Sequence, residues 1–120
     1  MRLSAASTSA SLSRFTYEPA GGKTRFNTLR ARGVPRGGRV ELRCSGQGCK
    51  KKKSSFSKKR NVDLRPRLKR LVGPRATVEV RVLAPGLTGF VRRFTLRPGR
   101  KVKVRTLCLA PGKRKPGRCS

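Results

Sequence analysis

Three segments of this sequence repeat one form, a turn containing Pro and Gly followed by a run in which every second residue is apolar. They are VPRGGRVELRC (34–44), VGPRATVEVRV (72–82) and LRPGRKVKVRT (96–106). Successive side chains of a β-strand point to opposite faces, so each segment has one apolar face and one carrying Arg, Glu or Lys. The apolar faces consist of Val40, Leu42, Cys44, Val78, Val80, Val82, Val102 and Val104. Such faces are buried when two sheets pack together, and we expect the charged faces to be solvated.

Other parts of the chain have the same character. We predict further strands in RFTYE (14–18), TRFNTLRA (24–31) and GFVRRFTLR (89–97). The residues that would fill the space between the sheets are Phe26, Phe90, Phe94 and Leu96. Short strands that follow one another at regular intervals, separated by Pro and Gly turns, are typical of antiparallel sandwiches and barrels. The sequence therefore predicts an all-β sandwich of about seven strands.

One stretch, VDLRPRLKRLVG (62–73), has apolar residues at helical spacing. These are Leu64, Leu68 and Leu71, and Asp63 is a candidate cap. Pro66 limits the helix to a turn or two, so we expect a short helical turn near residues 63–71 whose leucines join the core.

The chain has the length of a single domain. Residues 1–13 are mostly Ser, Ala and Thr and are predicted to be a disordered lead-in, with one domain over residues 14–120. No stretch approaches the roughly 20 apolar residues of a transmembrane segment. The N-terminus also lacks the apolar segment of a secretion signal.

Charge is the most unusual property of the composition. There are 33 Lys and Arg residues against four Asp and Glu, a formal net charge of +29. Partners are therefore expected to be anionic. The residues predicted to contact a polyanion lie in two basic clusters: Lys50, Lys51, Lys52, Lys53, Lys58, Lys59, Arg60, Lys113, Arg114, Lys115 and Arg118. Two alternatives are that the 50–60 run is only a solvated loop tip, and that part of the charge reflects codon supply in a GC-rich genome.

Four cysteines form two local pairs, C-x4-C and C-x10-C. Gly46 and Gly48 allow the chain after Cys44 to reverse sharply enough for a bond to Cys49, and Cys108 and Cys119 enclose a loop rich in Pro and Gly. We therefore predict disulfides 44–49 and 108–119, which persist in oxidising compartments and favour an extracytoplasmic location, with the cytoplasm as the alternative. A four-thiolate zinc site is a weaker alternative, because zinc prefers tighter spacings and this chain has no His.

The sequence does not contain a recognisable catalytic constellation. Without His, the chain has only Glu18, Glu41, Asp63 and Glu79, which are scattered singly. Glu41 and Glu79 lie between arginines on strand faces that we expect to be solvated, where cross-strand pairing explains them. We therefore predict a protein that is not an enzyme and uses no cofactor, metal or small-molecule substrate.

The segments GVPRGGRVELRCSGQGC, VEVRVLAPGLTGFVRRFTLRPG and LCLAPGKRKPGRC resemble, in order and spacing, a small uncharacterised domain. That domain is found, often near the C-terminus, in predicted exported proteins of high-GC actinobacteria. The resemblance runs from about Thr24 to Cys119, with Lys50 in place of the Pro that commonly follows the second cysteine. It implies an extracytoplasmic module with an immunoglobulin-like β-sandwich fold and no established activity.

Together these observations predict a non-catalytic, disulfide-linked, basic β-sandwich at the cell envelope that binds or rests on anionic polymer. The first alternative is an intracellular nucleic-acid-binding module that contacts the phosphate backbone. The second is a passive structural appendage whose charge has no specific partner.

Overall fold

In the computed structural model, residues 13–57, 60–98 and 100–119 are described, and they form two antiparallel β-sheets packed face to face. The strands in these ranges are β1 (Ser13–Ala20), β2 (Lys23–Ala31), β3 (Arg39–Ser45), β4 (Lys53–Ser57), β5 (Val62–Asp63), β6 (Thr77–Leu83), β7 (Gly89–Thr95) and β8 (Lys103–Leu109). One sheet has the order β1-β2-β5 and the other β4-β3-β6-β7-β8. None of the helical turns in the described ranges has the length and apolar character needed to cross a membrane.

This strand order is that of an immunoglobulin-like sandwich. The first, second and fifth strands form one sheet, and the third, sixth and seventh form the other, with β4 beside β3 as in variable-type domains. The predicted all-β, immunoglobulin-like fold is confirmed, with eight strands in the described residues instead of about seven. The strands that the pattern did not predict are β4, which lies inside the run predicted to be a loop, and the two-residue β5. The strand predicted within 96–106 is present as β8, which begins only at Lys103.

The core lies between the sheets and contains the residues that the alternation predicts. Those buried are Phe26, Val40, Leu42, Cys44, Val78, Val80, Val82, Phe90, Phe94 and Leu96, and Val102 and Val104 are partly buried against the core. The ring of Phe94 packs edge-on against Phe26 and Phe15, with ring centroids 5.2 and 4.9 Å apart. These aromatic contacts join the two sheets at the centre of the molecule.

The predicted helical turn is also present, as a 3₁₀ turn over Arg65–Arg67 directly after β5. Leu64 and Leu68 are buried on either side of it, but Leu71 is only partly buried and does not join the core as predicted. The Arg65 amide donates to the Asp63 carboxylate at 3.2 Å. The predicted lead-in, residues 1–13, lies outside the described residues except for Ser13, the first residue of β1.

Both disulfides have the predicted pairing. Cys44 is bonded to Cys49 and Cys108 to Cys119, with Cα atoms 5.6 and 4.9 Å apart. Because all four sulfurs are bonded in pairs, the zinc alternative is wrong. Gly48, in the first disulfide loop, has a φ of +98°, and a Cβ there would lie 2.7 Å from the Leu71 carbonyl oxygen. The two bonds indicate an oxidising, extracytoplasmic environment.

The expectation of a solvated charged face is wrong for the middle of the five-stranded sheet, although charged residues such as Arg39 and Arg105 on the same face are exposed. The outer face of this sheet, meaning the face turned away from β1, β2 and β5, buries the charged residues Glu41, Glu79 and Arg81. A second apolar cluster of Val91, Leu107 and Leu109 also lies there.

The chain after β8 covers part of this outer face. Cys108 and Gly117 exchange two backbone hydrogen bonds of 2.8 Å, which return the C-terminal segment (110–119) to the edge of β8. Arg81 donates to the Arg114 carbonyl at 3.2 Å, so this segment also reaches the middle strand of the sheet. The outer face is therefore partly covered, and its buried charged residues are held in fixed pairs.

Candidate anion-binding site

The outer face of the five-stranded sheet carries arginines arranged around two buried carboxylates. On β3, Arg39, Glu41 and Arg43 alternate with buried apolar residues, so all three side chains lie on this face. The register of β3 with β6 places Glu41 opposite Arg81 and Arg43 opposite Glu79. Charges of both signs therefore alternate along and across the strands, which is a favourable cross-strand arrangement.

Glu41 holds three cations in place. Nε of Arg39 donates to one carboxylate oxygen at 3.2 Å, and Nε and Nη2 of Arg43 donate to the other at 3.3 and 3.2 Å. The ammonium of Lys53, from the neighbouring strand β4, lies 3.7 Å from the first oxygen. Burial by itself raises the pKa of Glu41, but these hydrogen bonds and charges outweigh it and hold the pKa below its usual value. Glu41 therefore remains ionised and fixes the positions of its cationic neighbours.

Glu79 likewise holds arginines of β6 and β7 in place. It accepts hydrogen bonds from Nε of Arg81 at 2.9 Å and from Nε of Arg93 at 2.6 Å. Arg81 is itself buried, and its Nη1 donates to the Arg114 carbonyl. Arg81 thus connects the sheet to the C-terminal segment. This connection brings the side chains of Lys113 and Arg114 towards β3.

A concave site of about 470 Å³ results, which we call the cationic cleft. Its lining consists of Arg39, Glu41, Arg43, Lys53, Arg81, Leu83, Leu109, Lys113 and Arg114. Six of these residues are cations and one is a carboxylate, a formal excess of five positive charges. A concave surface of one charge sign concentrates the potential and attracts ions of the opposite sign. The planar guanidinium of arginine can also donate two parallel hydrogen bonds to the oxygens of one carboxylate or phosphate group.

Of the predicted contact residues, the structure brings Lys53, Lys113 and Arg114 together in the cleft. The other described members, Lys50, Lys51, Lys52, Arg60, Lys115 and Arg118, are exposed but do not line it. Lys50 instead donates to the Pro66 carbonyl at 2.9 Å, on the 3₁₀ turn. Lys58 and Lys59 lie outside the described residues.

The description of the 50–60 run as a loop tip is wrong for Lys53–Ser57, which forms β4 and pairs with β3. Phe56, inside this strand, is partly buried against the core, and the Arg67 guanidinium lies 5.1 Å from its ring centroid. A ring covered on these two sides is a poor platform for stacking with a base.

Sequence reasoning missed Arg39, Arg43 and Arg81. The alternation of Arg39, Glu41 and Arg43 on one strand was a usable signal, because it places a carboxylate between two arginines on the same face. The contribution of Arg81 depends on the register between β3 and β6, which the sequence pattern does not define.

The fold and the cleft define a small, disulfide-linked β-sandwich with a cationic outer face. Comparisons of the chain with protein-family models, with curated proteins and with solved structures found no match. What the cleft binds is therefore inferred from its own shape and charge.

Proposed function

We propose that this protein is a non-catalytic, extracytoplasmic module that binds an anionic polymer of the cell envelope through the cationic cleft. The observation that carries the proposal is the convergence of six cations around one carboxylate in a concave site. The cations come from three strands, β3, β4 and β6, and from the C-terminal segment, and Glu41 and Glu79 hold three of the four arginines in place. Such preorganisation lowers the entropic cost of binding an anion.

An extended ligand fits the charge distribution better than a single small ion. Outside the cleft, exposed cations continue along the chain on both sides, at Lys51 and Lys52 before β4 and at Lys115 and Arg118 in the C-terminal segment. A linear polyanion that occupied the cleft would also meet these residues and release counterions from its own charges. The net charge of +29 favours the same kind of partner.

The backbone of a nucleic acid carries the same kind of negative charge as an envelope polymer. The two candidate partners are therefore distinguished by the cellular compartment in which each occurs. The two disulfides support a location outside the cytoplasm, where envelope polymers are abundant. They therefore favour an envelope polymer as the natural ligand and a secreted or envelope-attached protein.

The C-terminal segment provides a matched pair of variants that tests the cleft. K113S/R114S and K115S/R118S each remove two exposed charges from the same segment, but only the first pair lines the cleft. Affinity for linear poly(glycerol phosphate), for polygalacturonate and for a short duplex DNA would be measured by fluorescence anisotropy between about 0.05 and 0.3 M NaCl.

We expect K113S/R114S to lower polymer affinity about five- to tenfold near physiological salt and to reduce the log–log salt slope by about 1.5 to 2. K115S/R118S should have less than half of this effect on the slope. Equal effects of the two variants would show that charge acts without the cleft. Absence of binding to every polymer by the wild type would overturn the function and leave a passive appendage, and binding of DNA alone would favour the nucleic-acid alternative.

A further inference from the structure

A second cleft lies at the other end of the sandwich, between the β1–β2 turn and the described residues that join β7 to β8. Its volume is about 630 Å³, within the usual range of ligand sites. It is lined by Tyr17, Pro19, Gly22, Lys23, Thr24, Arg97, Arg100, Lys101 and Val102. The length of β8 separates it from the cationic cleft, a distance of roughly 20 Å. We call it the end cleft.

The apolar part of the end cleft is formed by Tyr17, Pro19 and Val102. Tyr17 is partly buried, and its ring packs edge-on against Phe26 with centroids 6.2 Å apart. The contact with the core fixes the ring, while part of the side chain lines the cleft. The backbone beside it is also held, because Thr24 and Val72 exchange two hydrogen bonds of 2.8 Å.

The polar part is cationic and lacks counter-charges. Within the described ranges, none of Lys23, Arg97, Arg100 and Lys101 forms a salt bridge with a carboxylate. Arg97 donates from Nη2 to the Lys101 carbonyl at 3.1 Å, and its buried Nε has no hydrogen-bond partner among these residues. A bound anion would supply the counter-charge that these cations lack within the described residues.

The ligand of such a cleft must therefore combine a negative charge with an apolar face. A uronic acid has both, because its carboxylate can accept paired hydrogen bonds from arginine and the C–H face of its ring can pack against Tyr17 and Val102. Insertion of the protein into a lipid surface would require exposed apolar side chains. The large apolar residue that is exposed in the described ranges is Leu87, which lies between β6 and β7 at the opposite end of the sandwich.

We propose that the end cleft is a subsite for the acidic sugar units of a polysaccharide. This inference rests on the proposed function, because it names the class of envelope polymer that the protein binds. The two clefts would then contact one acidic polysaccharide at separate places. The end cleft would distinguish acidic polysaccharides from other polyanions, which charge alone does not do.

The test uses the whole chain and three short ligands: a trimer of galacturonic acid, the same trimer with its carboxylates methyl-esterified, and a trimer of glycerol phosphate. The esterified trimer retains the sugar rings without charge, and the glycerol phosphate trimer retains charge without rings. Dissociation constants would be measured by NMR titration. We expect the acidic trimer to bind at least about ten times more tightly than either of the others.

Two pairs of variants assign this binding to the end cleft. R100Q removes a cation that lines it, whereas R105Q removes an exposed cation from β8 that does not. We expect R100Q to weaken binding of the acidic trimer about five- to tenfold and R105Q less than twofold. Y17L should weaken it by a similar factor, whereas Y17F, which retains the ring, should bind like the wild type.

Equal binding of the acidic and esterified trimers, or equal effects of R100Q and R105Q, would overturn the acidic-sugar subsite. Equal binding of the glycerol phosphate trimer would overturn it as well, because charge would then suffice. K113S/R114S, altered only in the cationic cleft, should still bind the acidic trimer. If polymers bind but the trimer does not, only this inference fails, and if no polyanion binds, the proposed function fails too.

Discussion

Glu41 and Glu79 lie on the same outer face, but their partners differ in exposure. The side chain of Arg81, which pairs with Glu79, is 7% exposed. Those of Arg39 and Arg43, which pair with Glu41, are 54% and 42% exposed. Loss of Glu79 would leave a buried guanidinium without a counter-charge, whereas loss of Glu41 would release its partners into water.

The first prediction compares E79Q with E41Q. E79Q should reduce the free energy of unfolding by about 3 to 5 kcal/mol, because the Arg81 charge stays buried. E41Q should reduce it by only about 1 to 2 kcal/mol. Urea unfolding measures both, and E79Q combined with R81M should cost less than E79Q alone, because the buried charge is then also removed. Equal costs for E79Q and E41Q would contradict the difference in burial.

The second prediction concerns the pH dependence of Glu41. Its pKa in the folded protein lies below the usual value near 4.5, so the ionised form stabilises the fold above that pH. This contribution disappears as the pH falls through the lowered folded pKa. The difference in free energy of unfolding between wild type and E41Q should therefore be constant from about pH 6 upward and shrink below about pH 4.5. A difference that did not change with pH would show that Glu41 is not stabilised as an anion.

At the scale of structural elements, the C-terminal segment is held mainly by Cys108–Cys119 and the Cys108–Gly117 backbone pair. Cys119 is exposed, whereas Cys44 of the other disulfide is buried in the core. The two bonds therefore differ in accessibility to a thiol reductant, because reduction requires attack on a disulfide sulfur.

The third prediction is that mild treatment with a dithiol reduces Cys108–Cys119 first. Alkylation followed by peptide mass spectrometry identifies the thiols, and labelling of Cys44 and Cys49 first would contradict the accessibility difference. A C108A/C119A variant should lose roughly 2 to 3 kcal/mol of stability. It should also bind polyanion about as weakly as K113S/R114S, because the segment no longer holds Lys113 and Arg114 beside β3.

At the scale of the whole molecule, the net charge of +29 opposes folding, because like charges on a compact domain repel one another. Each carboxylate in the described residues lies within 4 Å of at least one arginine nitrogen, which relieves only a small part of this repulsion. Added salt screens the remainder.

The fourth prediction is that salt stabilises the fold while it weakens polyanion binding. Between about 0.02 and 0.2 M NaCl the Tm should rise by roughly 3 to 6 °C, equivalent to about 1 kcal/mol. At constant low salt, polymer at about 100 times its Kd should add about 2.7 kcal/mol. Thermal unfolding followed by circular dichroism measures both effects. A Tm that falls with salt would show that attraction between charges outweighs repulsion in the folded protein.

Local patterns in the sequence predict most of the fold. Alternation of apolar residues around Val40 and Val80 is a property of each strand alone, so it indicates β-structure and the core face without knowledge of strand pairing. Cys44 and Cys49 are close enough along the chain for a turn to join them, so that disulfide was also predictable. β4 was missed because its run of lysines obscured the alternation of Ser54 and Phe56 towards the core.

The candidate sites depended on contacts between distant parts of the chain. The cationic cleft exists because the β3–β6 register places Arg81 beside Glu41, and because the C-terminal segment returns over the sheet with Lys113. The end cleft likewise needs Tyr17 and Arg97, which are far apart along the chain. The sequence alone determined the fold class, the disulfide pairs and the excess of cations, because these follow from composition and short-range spacing. Tertiary structure alone decided which cations lie together in a cleft and which charges are buried. The reason is that strand register, and the return of the C-terminal segment over the sheet, depend on contacts between residues far apart in the sequence.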